Sequence, residues 1–214
     1  MNGPPEDPHH ARARAALVED LAARGIRDRR VLAAIGRVPR HRFAAPRDAG
    51  RAYQDGVLPL GHGATLSQPF VVAAMLGALE LLGGERVLDV GSGSGYTTAL
   101  LCELAGAVHA LERVPELADR AAELLHTLDY RNFSMQAGDG WAGLPERFPF
   151  DGILVSAAVP GVPPVLLDQL SERGRLVAPV GGAGGQILRV IENHPEGRVV
   201  ARDLFGVRFV PLLR

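Results

Sequence analysis

Four places in this 214-residue chain carry side chains whose type and spacing could do chemistry. Asp89-Val-Gly-Ser-Gly-Ser-Gly95 sets an acid ahead of three glycines at every second position. Glu112 follows Gly91 by 21 residues. Asp139 stands between Gly138 and Gly140. Ser67 immediately precedes Gln68-Pro69 and a long apolar run. Nothing in the pattern reads as a nucleophile–base triad, a carboxylate dyad or a metal cluster.

The apolar run Val87–Val90 ends in glycines and leads into a helical pattern, which reads as strand, tight turn and helix. Glycines let the backbone turn sharply and come close to a ligand. The helix that follows aims its free N–H groups and the positive end of its dipole at the turn. That suits a nucleotide-like cofactor. A dinucleotide turn wants G-x-G-x-x-G, but the sixth position from Gly91 is Tyr96. A P-loop wants Gly-Lys-Ser/Thr, and this chain has no lysine at all. The D-x-G-x-G-x-G that remains is the form typical of S-adenosylmethionine sites; its alternative is a glycine-rich turn with no ligand. Glu112, closing the second strand, is spaced to bind ribose hydroxyls, or is a surface acid. Asp139 could accept from an adenine amino group, or only shape its turn. Ser67, at the start of a buried helix, could orient an anion, or only cap that helix.

The elements that must position these groups follow from pattern. Length and a 47% hydrophobic content suit one well-buried α/β domain. A net charge of −1 gives no global pull toward nucleic acid or anionic membrane. Residues 1–10, rich in proline and including His9 and His10, read as a loose tail. Residues 11–51 carry eleven arginines against four acids, read as the solvated face of a helical cap rather than a nucleic-acid patch. Within it, Ala15–Leu21 and Val31–Ile35 have helical spacing. A short strand is expected at Val57–Leu60, then a buried helix at Phe70–Leu82. Helices follow at Thr97–Leu104, Pro115–Leu128 and Pro163–Leu170, the last stopped by Gly174. Strands are expected at Ala107–Leu111, Phe133–Ala137, Gly152–Val155, Arg175–Val180, Gln186–Glu192 and Val207–Leu212. The glycine run 181–185 is left open between hairpin and lid. Alternation through 86–180 implies a Rossmann-like, mainly parallel twisted sheet with helices on both faces, and antiparallel strands at the C-terminal edge. The division expected is a flexible tail over 1–10 and one domain over 11–214, its cap and substrate segment spanning 11–82 and its cofactor core 83–214. The lone Cys102 reads as a buried apolar residue. The start lacks a signal-peptide shape and the longest apolar run is too short for a bilayer, which makes the cytoplasm the default; a monomer is expected, though nothing in the sequence fixes oligomeric state.

Taken together the motifs resemble the protein-L-isoaspartate (D-aspartate) O-methyltransferases over roughly residues 15–212. Leu58-Pro-Leu-Gly-His-Gly-Ala-Thr-Leu-Ser-Gln-Pro69 is the specific part. Leu88–Tyr96, Leu111-Glu-Arg113, Gly138-Asp-Gly140, Val155–Ala158, Gly174–Gly181 and Val207–Leu212 follow in order. Gln54 stands where members often carry Glu.

The resemblance implies methyl transfer from S-adenosylmethionine to the free carboxylate of isoaspartyl residues, a repair of damaged proteins, with isoaspartyl proteins and peptides as partners. It implies Ser67 as the catalytic residue. Cofactor contacts would fall on Thr65, Leu66, Ser67, Asp89, Gly91, Ser92, Gly93, Glu112, Asp139 and Gly140. Substrate contacts would fall on Leu60, His62, Ser67 and Val207, with no metal, nucleic acid or membrane. The chemistry agrees: an α-carboxylate with a pKa of roughly 3.5 is already ionised, so no general base is needed. A carboxyl methyltransferase for a biosynthetic peptide, and a non-catalytic cofactor-binding module, are the alternatives; a dehydrogenase is disfavoured by the glycine spacing.

Overall fold

In the computed structural model, residues 7–195 and 198–214 are described. The cap opens with α1 (Pro8–Ala23) and α2 (Arg29–Arg37). Asp7 and Asp28 cap them, the Asp7 carboxylate accepting the His9 N–H and the Asp28 carboxylate those of Arg30 and Val31. The expected loose tail therefore gives way to helix at Pro8; the rest of that expectation, residues 1–6, lies outside the described residues. His10 is held on this helix, its ring stacked on His41 at 3.9 Å. Two 3₁₀ turns, Arg40–Phe43 and Pro46–Arg51, lead to a hairpin of β1 (Leu58–Gly61) and β2 (Ala64–Leu66). The sequence predicted only its first strand. Its tip runs through Gly61, His62 and Gly63, all at positive φ.

The buried α3 (Pro69–Leu79) ends three residues early because Glu80 turns left-handed (φ 51°). Then come β3 (Arg86–Val90), α4 (Tyr96–Leu104), β4 (Ala107–Glu112), α5 (Pro115–Thr127), β5 (Phe133–Ala137) and β6 (Phe150–Val155). The chain ends through α6 (Pro164–Asp168), β7 (Leu170–Gly182), β8 (Gly185–Asn193) and β9 (Val199–Val207). The seven-stranded sheet has the order β5-β4-β3-β6-β7-β8-β9. Pairs from β5 through β7 are parallel, and β7-β8 and β8-β9 are antiparallel. Strict alternation splits the core between the two faces. Val87, Val108, Leu154 and Val177 pack with the cap helices, α3 and α4. Leu88, Val90, Leu111, Ile153, Val155 and Leu176 pack with Leu166 of α6 on the other side. Among the described residues no helix is long and apolar enough to cross a membrane.

Two expectations are corrected, and the one left open at 181–185 is decided. The helix expected at Pro163–Leu170 stops at Asp168, and Gly174 does not terminate it. Instead β7 is already paired at Leu170, opposite Phe150, and its register slips before Arg175. A Cβ on Gly174 would lie 2.9 Å from the Phe150 carbonyl, so glycine permits the bulge. The run 181–185 is a tight hairpin, closed by Gly182 opposite Gly185. The strand expected at Val207–Leu212 is displaced: β9 ends at Val207, and the residues beyond it leave the sheet. Pro211 has no N–H for a continuing ladder. The segment runs back across the carboxyl rim instead. The Ala158 N–H donates to the Val210 carbonyl and the Leu212 N–H to the Ala158 carbonyl, both at 2.8 Å.

Candidate active site

Strand order reverses direction about β3, so a crevice opens beyond the carboxyl ends of β3 and β6, where open α/β sheets take ligands. Gly91, Gly93 and Gly95 all have positive φ (80°, 55° and 84°), a region that residues with a Cβ seldom adopt. The turn they make lowers the N-terminus of α4 to the crevice floor. Gly95 serves packing as well, since a Cβ there would sit 3.0 Å from Ala121 of α5.

Glu112 ends β4 only 7% exposed and locks the turn. One carboxylate oxygen accepts the Gly93 N–H and the other the Val114 N–H, each at 2.9 Å. Glu112 also lines a cleft of about 950 Å³, including its open mouth. Gly91, Gly93, Gly138, Gly140, Ser156 and Ala157 line it on the sheet side, with His62 and Thr65 from the hairpin. The strap 210–213 closes it. Gly140 is there because there is no room for more: a Cβ would approach Val90 to 2.5 Å and Leu212 to 3.1 Å.

A second cleft, about 1570 Å³ with its mouth, adjoins the first. Thr65 and Val210 line both. Ser67, Gln68, Val71, Gln186 and Val207 belong to the second alone, and among the described residues its one formally charged lining residue is Arg208. Ser67 is half-buried here at the head of α3. Neither Ser67 nor Gln68 caps that helix through its side chain. Asp55, from the preceding loop, does so: its carboxylate accepts the Phe70 N–H at 3.0 Å and the Gln68 amide at 2.7 Å, and pairs with Arg24. Burial pulls the Asp55 carboxyl upward, but these partners outweigh it and hold it below the usual range. Capping from a distance leaves the Ser67 hydroxyl outside the helix's hydrogen bonding.

The structure does not bring every sequence-predicted residue to a cleft. Leu66 is buried in the core beneath the hairpin. Leu60 packs on the outer side of the glycine turn, 3.6 Å from where a Gly93 Cβ would lie. His62 lies on the cofactor-cleft side rather than among the residues of the second cleft. Ser92 is buried, its hydroxyl donating to Met135 Sδ at 3.2 Å. Asp139 is exposed at the rim, and one oxygen accepts the Trp141 N–H at 2.9 Å. Asp89 is fully buried and takes a 2.7 Å hydrogen bond from Thr98 Oγ1, supporting the turn from below. What the sequence reading missed is the strap, the distant cap Asp55, and Gln186. The Gln186 side chain clamps Phe209, donating to its carbonyl (3.0 Å) and accepting its N–H (2.6 Å). A glutamine in a strand facing a proline-broken tail carries no motif.

Burial pushes the Asp89 carboxyl up to about 7; the Glu112 charge adds to this and the Thr98 hydrogen bond opposes it. An acid raised in the folded state is protonated there while still ionised in the unfolded chain. Its stabilising contribution is therefore full below about pH 4 and declines toward pH 7, by up to ~1.4 kcal/mol per pH unit. Asp89→Asn keeps an acceptor for Thr98 without the charge. Thermal melts between pH 4.5 and 8 should show the variant gaining on the parent as pH rises; parallel curves would refute the burial account.

Sheet order, glycine turn and paired clefts define a Rossmann-like α/β protein with a nucleoside-sized site at the carboxyl rim. Comparison narrows this. A family model described as protein-L-isoaspartate(D-aspartate) O-methyltransferase matches residues 12–214. The protein-L-isoaspartate O-methyltransferase of Anaeromyxobacter dehalogenans (strain 2CP-C) is 56% identical over 198 residues, covering 92% of this chain and 95% of that protein. Its counterpart 1 in Anaeromyxobacter sp. (strain Fw109-5) is 54% identical over 200 residues, covering 92% and 94%. A Plasmodium falciparum protein described as a protein-L-isoaspartate O-methyltransferase, in complex with S-adenosyl-L-homocysteine, superposes with a TM-score of 0.82 at 30% identity, covering 97% of this chain and 99% of that one. The chain belongs to the protein-L-isoaspartate (D-aspartate) O-methyltransferase family.

Proposed function

We propose that the chain methylates the α-carboxylate of L-isoaspartyl residues, and the side-chain carboxylate of D-aspartyl residues, with S-adenosylmethionine as donor, initiating repair of damaged proteins. The observation that carries this is the shared wall of Thr65 and Val210, with a nucleoside-sized cleft on one side and Ser67 on the other. Glu112 would hold the ribose hydroxyls with the lone pairs left over from Gly93 and Val114. Asp139 and the Gly140 backbone would meet the adenine edge. Bound here, the cofactor supplies an activated methyl on a sulfonium: a carboxylate oxygen forms the new O–C bond while the S–C bond breaks and its electron pair stays on sulfur.

The protein's own share is placement. Thr65 and Val210 line both clefts, so donor and acceptor would meet between them, and proximity of this kind can supply on the order of 7–11 kcal/mol. The Ser67 hydroxyl donates to one acceptor oxygen and turns the other toward the donor. Among the described residues no carboxylate lines the second cleft, so an incoming acid meets no like charge from them there. The strap excludes water from the donor side.

The test is incubation with methyl-labelled S-adenosylmethionine and matched peptides differing only in isoaspartyl or aspartyl linkage. Base-labile label on the isoaspartyl peptide alone is expected. Label confined to the aspartyl peptide would make the chain a carboxyl methyltransferase of another kind, and cofactor binding without label on either would make it a binding module.

A further inference from the structure

Arg40 is fully buried, with none of its side chain reaching solvent. It opens the first 3₁₀ turn of the cap, far in sequence from the residues just described. Its Nε donates to the Ala52 carbonyl at 2.7 Å. Its Nη2 donates to the Ser67 carbonyl, also at 2.7 Å. The guanidinium lies over the ring of Tyr96, 4.7 Å from its centre. Tyr96 is the first residue of α4, directly after Gly95. Phe43, from the same 3₁₀ turn as Arg40, meets that ring edge-on at 5.6 Å.

No carboxylate pairs with this cation among the described residues. The Tyr96 hydroxyl, pushed up to about 12 mainly by burial, stays protonated and cannot neutralise it. Nη1 has no hydrogen-bond partner of good geometry. Burying a guanidinium with no carboxylate partner is costly, and an apolar side chain of similar volume would serve stability at least as well. Its contacts are specific in another way. One planar group touches the peptide carbonyl of the residue that faces the acceptor and the aromatic residue that starts the cofactor helix.

We infer that Arg40 is a positioning residue for methyl transfer: it fixes the Ser67 peptide plane relative to the first turn of α4, and so holds the acceptor-orienting hydroxyl in register with the glycine turn. This rests on the role proposed for Ser67. Arg40 lines neither cleft, so it acts through Ser67 and Tyr96 and touches no reactant. Displacement of a reacting group by about 1 Å can cost on the order of 10²-fold in rate, which is the sensitivity such a brace would protect.

Arg40→Lys keeps the charge, but an ammonium cannot span both carbonyls in one plane. The experiment compares Arg40→Lys, Ser67→Ala and the double variant by kcat, by KM for an isoaspartyl peptide, by the calorimetric Kd of S-adenosylhomocysteine and by thermal melting. Arg40→Lys is expected to lower kcat about 10- to 100-fold while KM and cofactor Kd move far less. The decisive expectation is non-additivity: in the Ser67→Ala background the Arg40→Lys loss should largely vanish. Multiplicative losses would overturn the inference, as would unchanged kcat in a folded Arg40→Lys variant, or an equal loss of cofactor affinity. Should Arg40→Lys not fold, Tyr96→Phe takes its place: it retains the ring under the guanidinium and removes only the hydroxyl that acts on it. A smaller loss, again absorbed by Ser67→Ala, is then expected, and additivity would refute. Full turnover by Ser67→Ala alone would instead remove the Ser67 reading on which this stands, whatever Arg40→Lys does.

Discussion

Ser67→Ala should lower kcat on an isoaspartyl peptide by roughly 10–100-fold and leave the affinity for S-adenosylhomocysteine unchanged. The magnitude follows from losing one hydroxyl bond to a charged acceptor, worth about 1.5–3 kcal/mol. The separation of the two effects follows from geometry. Ser67 lines only the second cleft, whereas Thr65 and Val210 line both. The helix it precedes does not need it, because Asp55 caps α3 through Phe70. Stability of the variant should therefore stay within about 0.5 kcal/mol of the parent. A serine acting as a nucleophile would give a different result, with turnover abolished and a covalent adduct accumulating in the parent. Steady-state rates, calorimetric titration and thermal melting on one preparation separate these cases. Equal losses in kcat and cofactor affinity would reassign Ser67 to the cofactor.

The same serine shows how far the chain could be read before it was folded. Its position before a buried helix was plain, because apolar residues on nearly every side of α3 leave that helix nowhere to go but the core. Its freedom was not, because the cap comes from Asp55, thirteen residues before Gln68 in contact but outside any local capping pattern. The parallel core was readable for a similar reason. The central runs β3 and β6 are buried at nearly every residue and are followed by glycine or proline. The C-terminal edge was not. β9 is an exposed edge strand carrying Arg202 and Asp203, with no clean alternation, while the apolar Val207–Leu212 stretch looks like a strand and is a strap. Period-2 hydrophobicity reports burial, and the strap earns its burial from the cofactor cleft rather than from a sheet. Asp89 errs in the opposite sense. Its place in the motif makes it look like a cofactor contact, but alternation along β3 turns its side chain under Thr98. Motif membership says which residues build a site, and only the pleat says which of them face it.

Glu112→Ala should reverse the pattern expected of Ser67. Cofactor affinity should fall on the order of 10²-fold or more, with kcat at saturating donor much closer to that of the parent. Two separate losses add. The ribose hydroxyls lose a charged acceptor, worth about 1.5–3 kcal/mol. The Gly93 and Val114 N–H groups, both tied to this carboxylate at 2.9 Å, lose theirs, so the glycine turn is no longer held in its binding shape before the ligand arrives. Binding must then pay to reorder it. The second loss can be isolated. Without ligand, Glu112→Ala should unfold about 1–3 kcal/mol more easily, the cost of leaving buried donors unpaired, whereas a residue that only touched ribose would leave the free protein untouched. Glu112→Gln discriminates further: its amide keeps an oxygen for one of the two N–H groups and presents an NH₂ to the other. It should fall between parent and alanine in both stability and affinity. Unchanged affinity in both variants would remove Glu112 from the cofactor. Weakened affinity with unaltered unliganded stability would keep the ribose contact and discard the preorganised turn.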